Sequence, residues 1–332
     1  MPELRKDPIA GRWVVVATER VRRPADFAVP HGPRRDASCL FCGGHEDETP
    51  PELLAYRDAA DAPPNSPGWR VRVVPNRFPA LRVEGDLDRR GEGLYDLMNG
   101  VGADEVLVES ADHHVKLADL APAAVEDVVR ALHDRLVALK RDARLRAALL
   151  FKRHAADAPG RLGHPHAQLL ATPIVPPEVL EELDRARAYY DYRERCLFCD
   201  ILRQELEQRT RLVVDSEHVL ALAPFAARFP FETWLFPRRH AAGFERADEA
   251  EQRDLAGVLR AVLRRLDRAI GDPPFTLVMH SAPFREGESP SYHWHVEIMP
   301  TLSHAETAWR GGLAVNPVPP EDAARFLRDT PE

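Results

Sequence analysis

Cysteine is scarce in this chain of 332 residues. There are four, too few and too widely spread for the disulfide framework of a small secreted protein. Long apolar runs are missing as well: none approaches the roughly 20 residues of a bilayer-spanning helix, so no membrane partner is expected. Basic charge is not in excess either. The net charge is −8, with 45 Lys and Arg against 53 Asp and Glu, which excludes a broad cationic surface for nucleic acid. Local arginine clusters stay open, because Arg greatly outnumbers Lys. The opening MPELRKDPIAGRW has neither the apolar core of a secretory signal nor the character of a transit peptide. The expectation is a soluble cytoplasmic protein of one large or two medium domains.

What cysteine there is has a pattern. Cys39, Cys42, Cys196 and Cys199 form two C-x-x-C pairs, each within the tetrapeptide Cys-Leu-Phe-Cys. A redox pair belongs at the strand-to-helix junction of a βαβ unit, and that context is missing before Cys39, so metal binding is the better reading. A second pattern lies in GRLGHPHAQLLATP, residues 160–173. In an extended strand His164, His166 and Gln168 share one face. Two imidazoles and an amide are costly to bury without partners, and a second H-x-H, His293 and His295, recurs in SYHWHVEIMP.

Taken in order, the chain repeats itself. The first pass reads as Cys39–Cys42, an alternating strand in WRVRVVPNRFPAL, a strand at 105–110 running into His113 and His114, a helix at 117–142, a strand at 147–152 and then the H-x-H strand. After a helix expected at 174–195, the second pass runs from Cys196 through strands at 211–214, 219–223 and 232–236 to His240. A helix at 248–270, capped by Asp248, a strand at 275–280 and the second H-x-H strand complete it. Cys39 to Cys196 spans 157 positions and His164 to His293 spans 129. The reading is an internal duplication of an α+β unit, each copy an antiparallel sheet with helices packed on it. The boundary falls between residues 1–173 and 174–332.

Structural zinc takes four ligands, and each half supplies two thiolates. His113 or His114, with His113 preferred, and His164 complete the first set; His240 and His293 complete the second. Cys2His2 in each half leaves the inner histidines, His166 and His295, free for chemistry.

Assembled, these motifs resemble the histidine triad superfamily, in its two-unit galactose-1-phosphate uridylyltransferase branch, over nearly the whole chain. DPIAGRW and the arginine turn ERVRRP, NRFPAL, GHPHAQ and CLFCDIL…PFETWLFPRRH…YHWH carry the likeness. The resemblance implies a duplicated histidine-triad-like fold and a homodimer with active sites near its interface. It also implies transfer of a nucleotidyl group from a nucleotide sugar through a covalent nucleotidyl-histidine on His166, releasing a sugar 1-phosphate. Neutral imidazole is nucleophilic at physiological pH and leaves readily from phosphorus. Gln168 would donate to a phosphoryl oxygen, and Arg20, Arg23, Asn76, Arg77, Phe78, Arg153 and Arg161 would bind the nucleotide, the guanidiniums as forked phosphate clamps. His295 is the poorer candidate, because Glu297 stands where Gln168 does and sets a carboxylate against the phosphate.

The likeness has departures. Arg153 and Arg161 occupy positions where uridylyltransferases carry Asn and Ser. The segment GGLAVNPVPPEDAARFL lacks their hexose-recognising Glu and Gln and looks more like the branch that includes ADP-glucose phosphorylases. Uridylyl transfer from UDP-glucose to galactose 1-phosphate is therefore carried beside adenylyl transfer or phosphorolysis of ADP-glucose, and beside a zinc-stabilised nucleotide-binding protein without turnover. Some family members hold iron on a glutamate and three histidines. The matching positions, Glu182, His280, His293 and His295, would take His293 from the second zinc, so the expectation is two zinc ions per chain, with iron as the alternative in the second half.

Overall fold

The computed structural model describes residues 1–17, 39–59, 61–154, 163–302 and 313–331. The first half contributes β3 (Leu54–Arg57), β4 (Trp69–Pro75), β7 (Ala103–Val108), β8 (Ala147–His154) and β9 (His166–Thr172). The second half contributes β10 (Leu212–Asp215), β11 (Val219–Leu222), β12 (Thr233–Pro237), β13 (Phe275–His280) and β14 (His295–Pro300). They join into one antiparallel sheet of ten strands in the order β10-β11-β12-β14-β13-β8-β9-β7-β4-β3. Read from its middle outward, the order repeats on both sides, as a duplication demands.

The α+β class holds, and the two sheets expected of the halves are continuous. Their inner edges, β8 and β13, pair antiparallel from Phe275 opposite His154 to Met279 opposite Leu150. Two unpaired edges of backbone donors and acceptors are thereby closed against each other.

Side chains alternate across this sheet, so each strand serves two surfaces. One face carries Leu107, Leu150, Leu169, Leu277, Val296 and Ile298 into the largest core cluster, beneath α1 (Pro122–Leu139) and α4 (Glu249–Ile270). α1 begins at Pro122 rather than at residue 117, since proline fits only the first turn of a helix. In α4 the Asp248 side chain accepts from the Glu251 amide at 2.9 Å and Glu251 accepts from the Asp248 amide at 3.2 Å, a capping box. Gly271, at φ +84°, stops the helix. The other face is covered in the second half by α2 (Pro177–Arg193) and α3 (Leu197–Gln208), whose Leu183 and Phe198 pack on Leu220, Leu222, Trp234 and Phe236. In the first half, among the described residues, it carries the Cys39–Cys42 loop, packed on Trp69, Val74, Val106 and Val108.

Three smaller elements finish the fold: a sheet of β1 (Glu3–Lys6), β2 (Trp13–Val16) and β15 (Ala314–Asn316), the hairpin β5 (Arg90–Glu92) with β6 (Tyr95–Leu97), and α5 (Pro320–Asp329). Among the described residues no helix is long and apolar enough to cross a membrane.

Candidate functional site

β9 starts at His166, so only His166 and Gln168 share the strand face; His164 precedes the strand. That corrects the expectation of three groups on one face. The equivalent strand β14 likewise starts at its second histidine, His295, with Trp294 in the place of Pro165, so the strand begins at this point in both halves. The two imidazoles of the first half go to different work. His164 points Nδ1 at the thiols of Cys39 (3.7 Å) and Cys42 (3.8 Å), while its Nε2 donates to the Ser110 carbonyl at 2.7 Å. His166 donates from Nδ1 to the His164 carbonyl at 2.8 Å. A carbonyl only accepts, so the proton sits on Nδ1 and the lone pair on Nε2. Burial pulls the His166 pKa below the ordinary imidazole value, the bond to the His164 carbonyl working against it. The ring is a neutral base with one fixed tautomer.

Two sulfur clusters stand as the spacing predicts. Cys39, Cys42, His113 and His164 place one ligand atom each within 4.8 Å of one another, as do Cys196, Cys199, His240 and His293. His113 joins through Nδ1, 3.6 Å from Cys42 Sγ, while the His114 amide donates to Asp112. In the second cluster Cys199 Sγ lies 3.4 Å from His240 Nδ1 and 3.6 Å from His293 Nδ1. Zinc bonds of about 2.3 Å to sulfur and 2.0–2.1 Å to nitrogen, at a tetrahedral angle, put S and N about 3.6 Å apart. The donors therefore fit a tetrahedral ion. Each histidine holds its orientation with the other nitrogen, His240 on the Ser289 carbonyl and His293 on the Pro237 carbonyl, the outer-shell support usual for metal ligands. In the second cluster the Cys199 pKa is lowered to about 3, first by the Cys196 thiol and then by the two histidines, while the same bond and burial push the Cys196 thiol up.

The inner histidine of the second half has a different fate. His295 is fully buried under Phe198, Trp234 and Phe236 and stacks on His280, ring centroids 4.6 Å apart. Glu297, in the position of Gln168, accepts from Arg228 at 2.5 Å, and Arg228 also bonds Glu232 at 2.9 Å. His280 lies between Glu182 (3.2 Å) and Glu297 (3.6 Å). Burial lowers the His280 pKa, but the two carboxylates outweigh it and raise it to about 10. The site expected for iron is corrected here. His293 turns to Cys199, and Glu297 takes its place in a group of Glu182, His280, His295 and Glu297. Zinc and that group therefore do not compete for a ligand. Arg228 and His280 both reach Glu297, while His295 Nε2 is buried without a protein partner among the described residues, so the group keeps one donor atom that a cation could take.

Of the remaining expected residues, Asn76 builds a turn. Its amide nitrogen donates to Asp104 at 3.2 Å and its oxygen accepts from the Phe78 amide at 3.1 Å. Phe78 projects with 84% of its surface exposed, and the Arg77 guanidinium lies 5.8 Å from its ring. This turn is level with Leu170, four residues along β9 from His166, about 13 Å by strand rise. Phe151 pairs with Gln168, which makes the exposed Arg153 the next side chain on the His166 face. Arg20, Arg23 and Arg161 lie outside the described residues. Sequence reasoning missed the partners of Glu297 and a buried lysine, Lys152, bonded to Glu109; only strand register brings these together.

Known proteins resemble this chain over nearly its whole length. Residues 1–176 match the family described as galactose-1-phosphate uridyl transferase, N-terminal domain, and residues 182–310 match its C-terminal domain. An ADP-glucose phosphorylase from Arabidopsis thaliana is 34% identical over 99% of this chain and 93% of its own. A galactose-1-phosphate uridylyltransferase from Thermotoga maritima is 28% identical over 99% of both. The solved structure of an Arabidopsis ADP-glucose phosphorylase with bound ADP-glucose superposes with a TM-score of 0.82 at 31% identity, covering all of each chain. With both domains matched in order across the chain, this protein belongs to the galactose-1-phosphate uridyl transferase family.

Proposed function

We propose that the protein transfers a nucleotidyl group from a nucleotide sugar to a phosphate acceptor by way of a nucleotidyl-histidine at His166. The observation that carries this is the contrast between two equivalent imidazoles. His166 is half-buried with its lone pair on Nε2, whereas His295 is fully buried. Nε2 attacks the α-phosphorus, the N–P bond forms, and the bridging P–O bond breaks toward a departing sugar 1-phosphate. An oxygen of the acceptor phosphate then attacks the same phosphorus and the imidazole leaves. Gln168 donates to a non-bridging oxygen as charge gathers there. Asn76, Arg77 and Phe78 shape the nucleoside end; Arg20, Arg23, Arg153 and Arg161 bind phosphate. On this reading residues 1–173 carry the chemistry and residues 174–332 are mainly structural.

The uridylyl reading, UDP-glucose with galactose 1-phosphate, follows the family's named activity. A second, adenylyl transfer from ADP-glucose, is supported by the 34% identity to an ADP-glucose phosphorylase over nearly the whole chain. Incubation with UDP-glucose or ADP-glucose, each labelled in its α-phosphate, tests both. Acid-labile label on His166 is expected from one of them, and the nucleotide that labels fixes the base. Binding of both without label on the histidine would leave a nucleotide-binding protein and end the transferase reading.

Cys39, Cys42, His113 and His164 hold one zinc ion on this reading, and Cys196, Cys199, His240 and His293 a second. With four protein ligands each, these are closed sites that brace the fold rather than activate water. Cysteines kept as thiolates suit a reducing compartment, the cytoplasm.

A homodimer is supported by the small sheet. Leu4, Lys6, Trp13, Val15 and Val315 share one of its faces, with Lys6 lying over the Trp13 ring and Leu4 63% and Trp13 50% exposed, a mainly apolar surface of the kind that a second copy covers. Sedimentation equilibrium should give the mass of two chains. The pair Leu4→Lys and Trp13→Glu should shift it to one chain with melting unchanged; an undisturbed dimer would place the interface elsewhere.

A further inference from the structure

The first half of the sheet contains a buried ion pair that the reaction above leaves without a task. Lys152 on β8 and Glu109, just after β7, meet on the face opposite His166, with 4% and 1% of their surfaces exposed. The Lys152 ammonium donates to Glu109 Oε2 at 2.9 Å and to the main-chain oxygen of His166 at 3.3 Å. The other Glu109 oxygen is buried without a protein partner among the described residues. Such a pair loses the hydration of two ions, a cost that apolar residues of similar size avoid.

The chain carries that apolar alternative in its own second half. Phe151 pairs with Gln168 and Val278 with Glu297, which makes Met279 the counterpart of Lys152. The counterpart of Leu107–Glu109 is the end of β12, Leu235-Phe236-Pro237, which offers no acid. The fold is built at this place without ions in one half and with them in the other. The half that has them is the half with the accessible imidazole.

Their task follows from where the ladder stops. β8 and β9 pair from Ala147 and Thr172 as far as Phe151 and Gln168. Beyond that point β8 continues on β13 alone, Arg153 opposite Thr276 and His154 opposite Phe275. In the second half the equivalent strands stay paired to the end, His280 opposite His295. The sheet is thus parted beside His166 and closed beside His295. A carbonyl at such a break loses its ladder donor and needs another, and the Lys152 ammonium reaches the one belonging to His166. We propose that Lys152, held by Glu109, is a positioning residue that fixes the backbone of the nucleophile across this opening. The inference rests on His166 being the nucleophile.

Single-turnover labelling of His166, run on the parent, on Lys152→Met and on the double variant Glu109→Leu/Lys152→Met, tests it. Lys152→Met strands a buried carboxylate and should lower both the melting temperature and the labelling rate. The double variant copies the apolar second half. Its melting should return to within a few degrees of the parent, while labelling stays about 10- to 100-fold slow and KM for the nucleotide sugar changes less than about threefold. A purely structural pair predicts recovery of both, and parent-like labelling in the folded double variant overturns the proposal. If the double variant does not fold, Glu109→Gln decides: it keeps the shape and removes the charge that holds the ammonium. Slowed labelling at near-parent melting supports the proposal, and an unchanged rate defeats it. Absence of label on the parent itself, from either nucleotide sugar, overturns the His166 reading and this inference with it.

Discussion

Substitution of His166 by asparagine should abolish nucleotidyl transfer while leaving the protein folded. The expected loss in kcat is about 10⁴-fold or more, the scale seen when a covalent nucleophile is removed and only binding and charge stabilisation remain. The asparagine amide can still donate toward the His164 carbonyl, so the local hydrogen bond is largely kept. Loss of the ring should cost about 1 kcal/mol of stability or a little more. The matching change at His295 should do the reverse. That ring is fully buried and stacked on His280, so His295→Asn removes packing from a sealed core and should cost several kcal/mol, yet label still forms on His166. Measuring label incorporation and thermal melting on the two variants gives a crossed pattern. Transfer surviving in His166→Asn, or lost only in His295→Asn, would assign the chemistry to the wrong half.

Much of this was legible before any coordinates. Two CLFC tetrapeptides, two H-x-H strands and a long helix in the same order announce a duplication, because metal ligands and strand periodicity leave local marks. The ligand sets followed from zinc's demand for four donors, and the structure brings Cys39, Cys42, His113 and His164 together, and Cys196, Cys199, His240 and His293. A backbone carbonyl on the other nitrogen of His166 follows from the chemistry of a nucleophilic imidazole, and the structure identifies it as that of His164. What stayed hidden depends on strand register. The salt bridge from Arg228 to Glu297 joins residues 69 positions apart, and Lys152 to Glu109 spans 43; nothing near either residue signals its partner. The union of the halves into one sheet rests on two inner strands whose sequences would equally suit covered edges. His293 was wrongly offered to two sites because sequence order gives proximity along the strand but not the direction in which a ring turns.

Loss of the first metal cluster should stop the reaction, and loss of the second should not. Cys39→Ser weakens the set that holds His164, and the carbonyl of that same residue receives the Nδ1 proton of His166 at 2.8 Å. Once His164 is released, the nucleophile loses the group that sets its tautomer. The Cys39–Cys42 loop, which covers Val74, Val106 and Val108, loses its anchor as well. Structural zinc contributes about 10–16 kcal/mol of apparent binding energy in small peptides at pH 7, and whole domains are stable by only about 5–15 kcal/mol. Even partial loss should therefore lower melting by more than about 10 °C, and activity should fall by about 100-fold or more through misplacement of one ring. Cys196→Ser removes a ligand next to α3 and the sealed His295, with no main-chain route to His166. It should lower melting by a similar amount while the fraction that remains folded transfers nucleotide at a rate close to the parent's. Elemental analysis should find two zinc ions per parent chain and one in each variant. Equal activity in the two variants, measured well below both melting transitions, would mean that the metal at His164 supports the fold alone, and the tautomer would then have to be held by the strand turn without it.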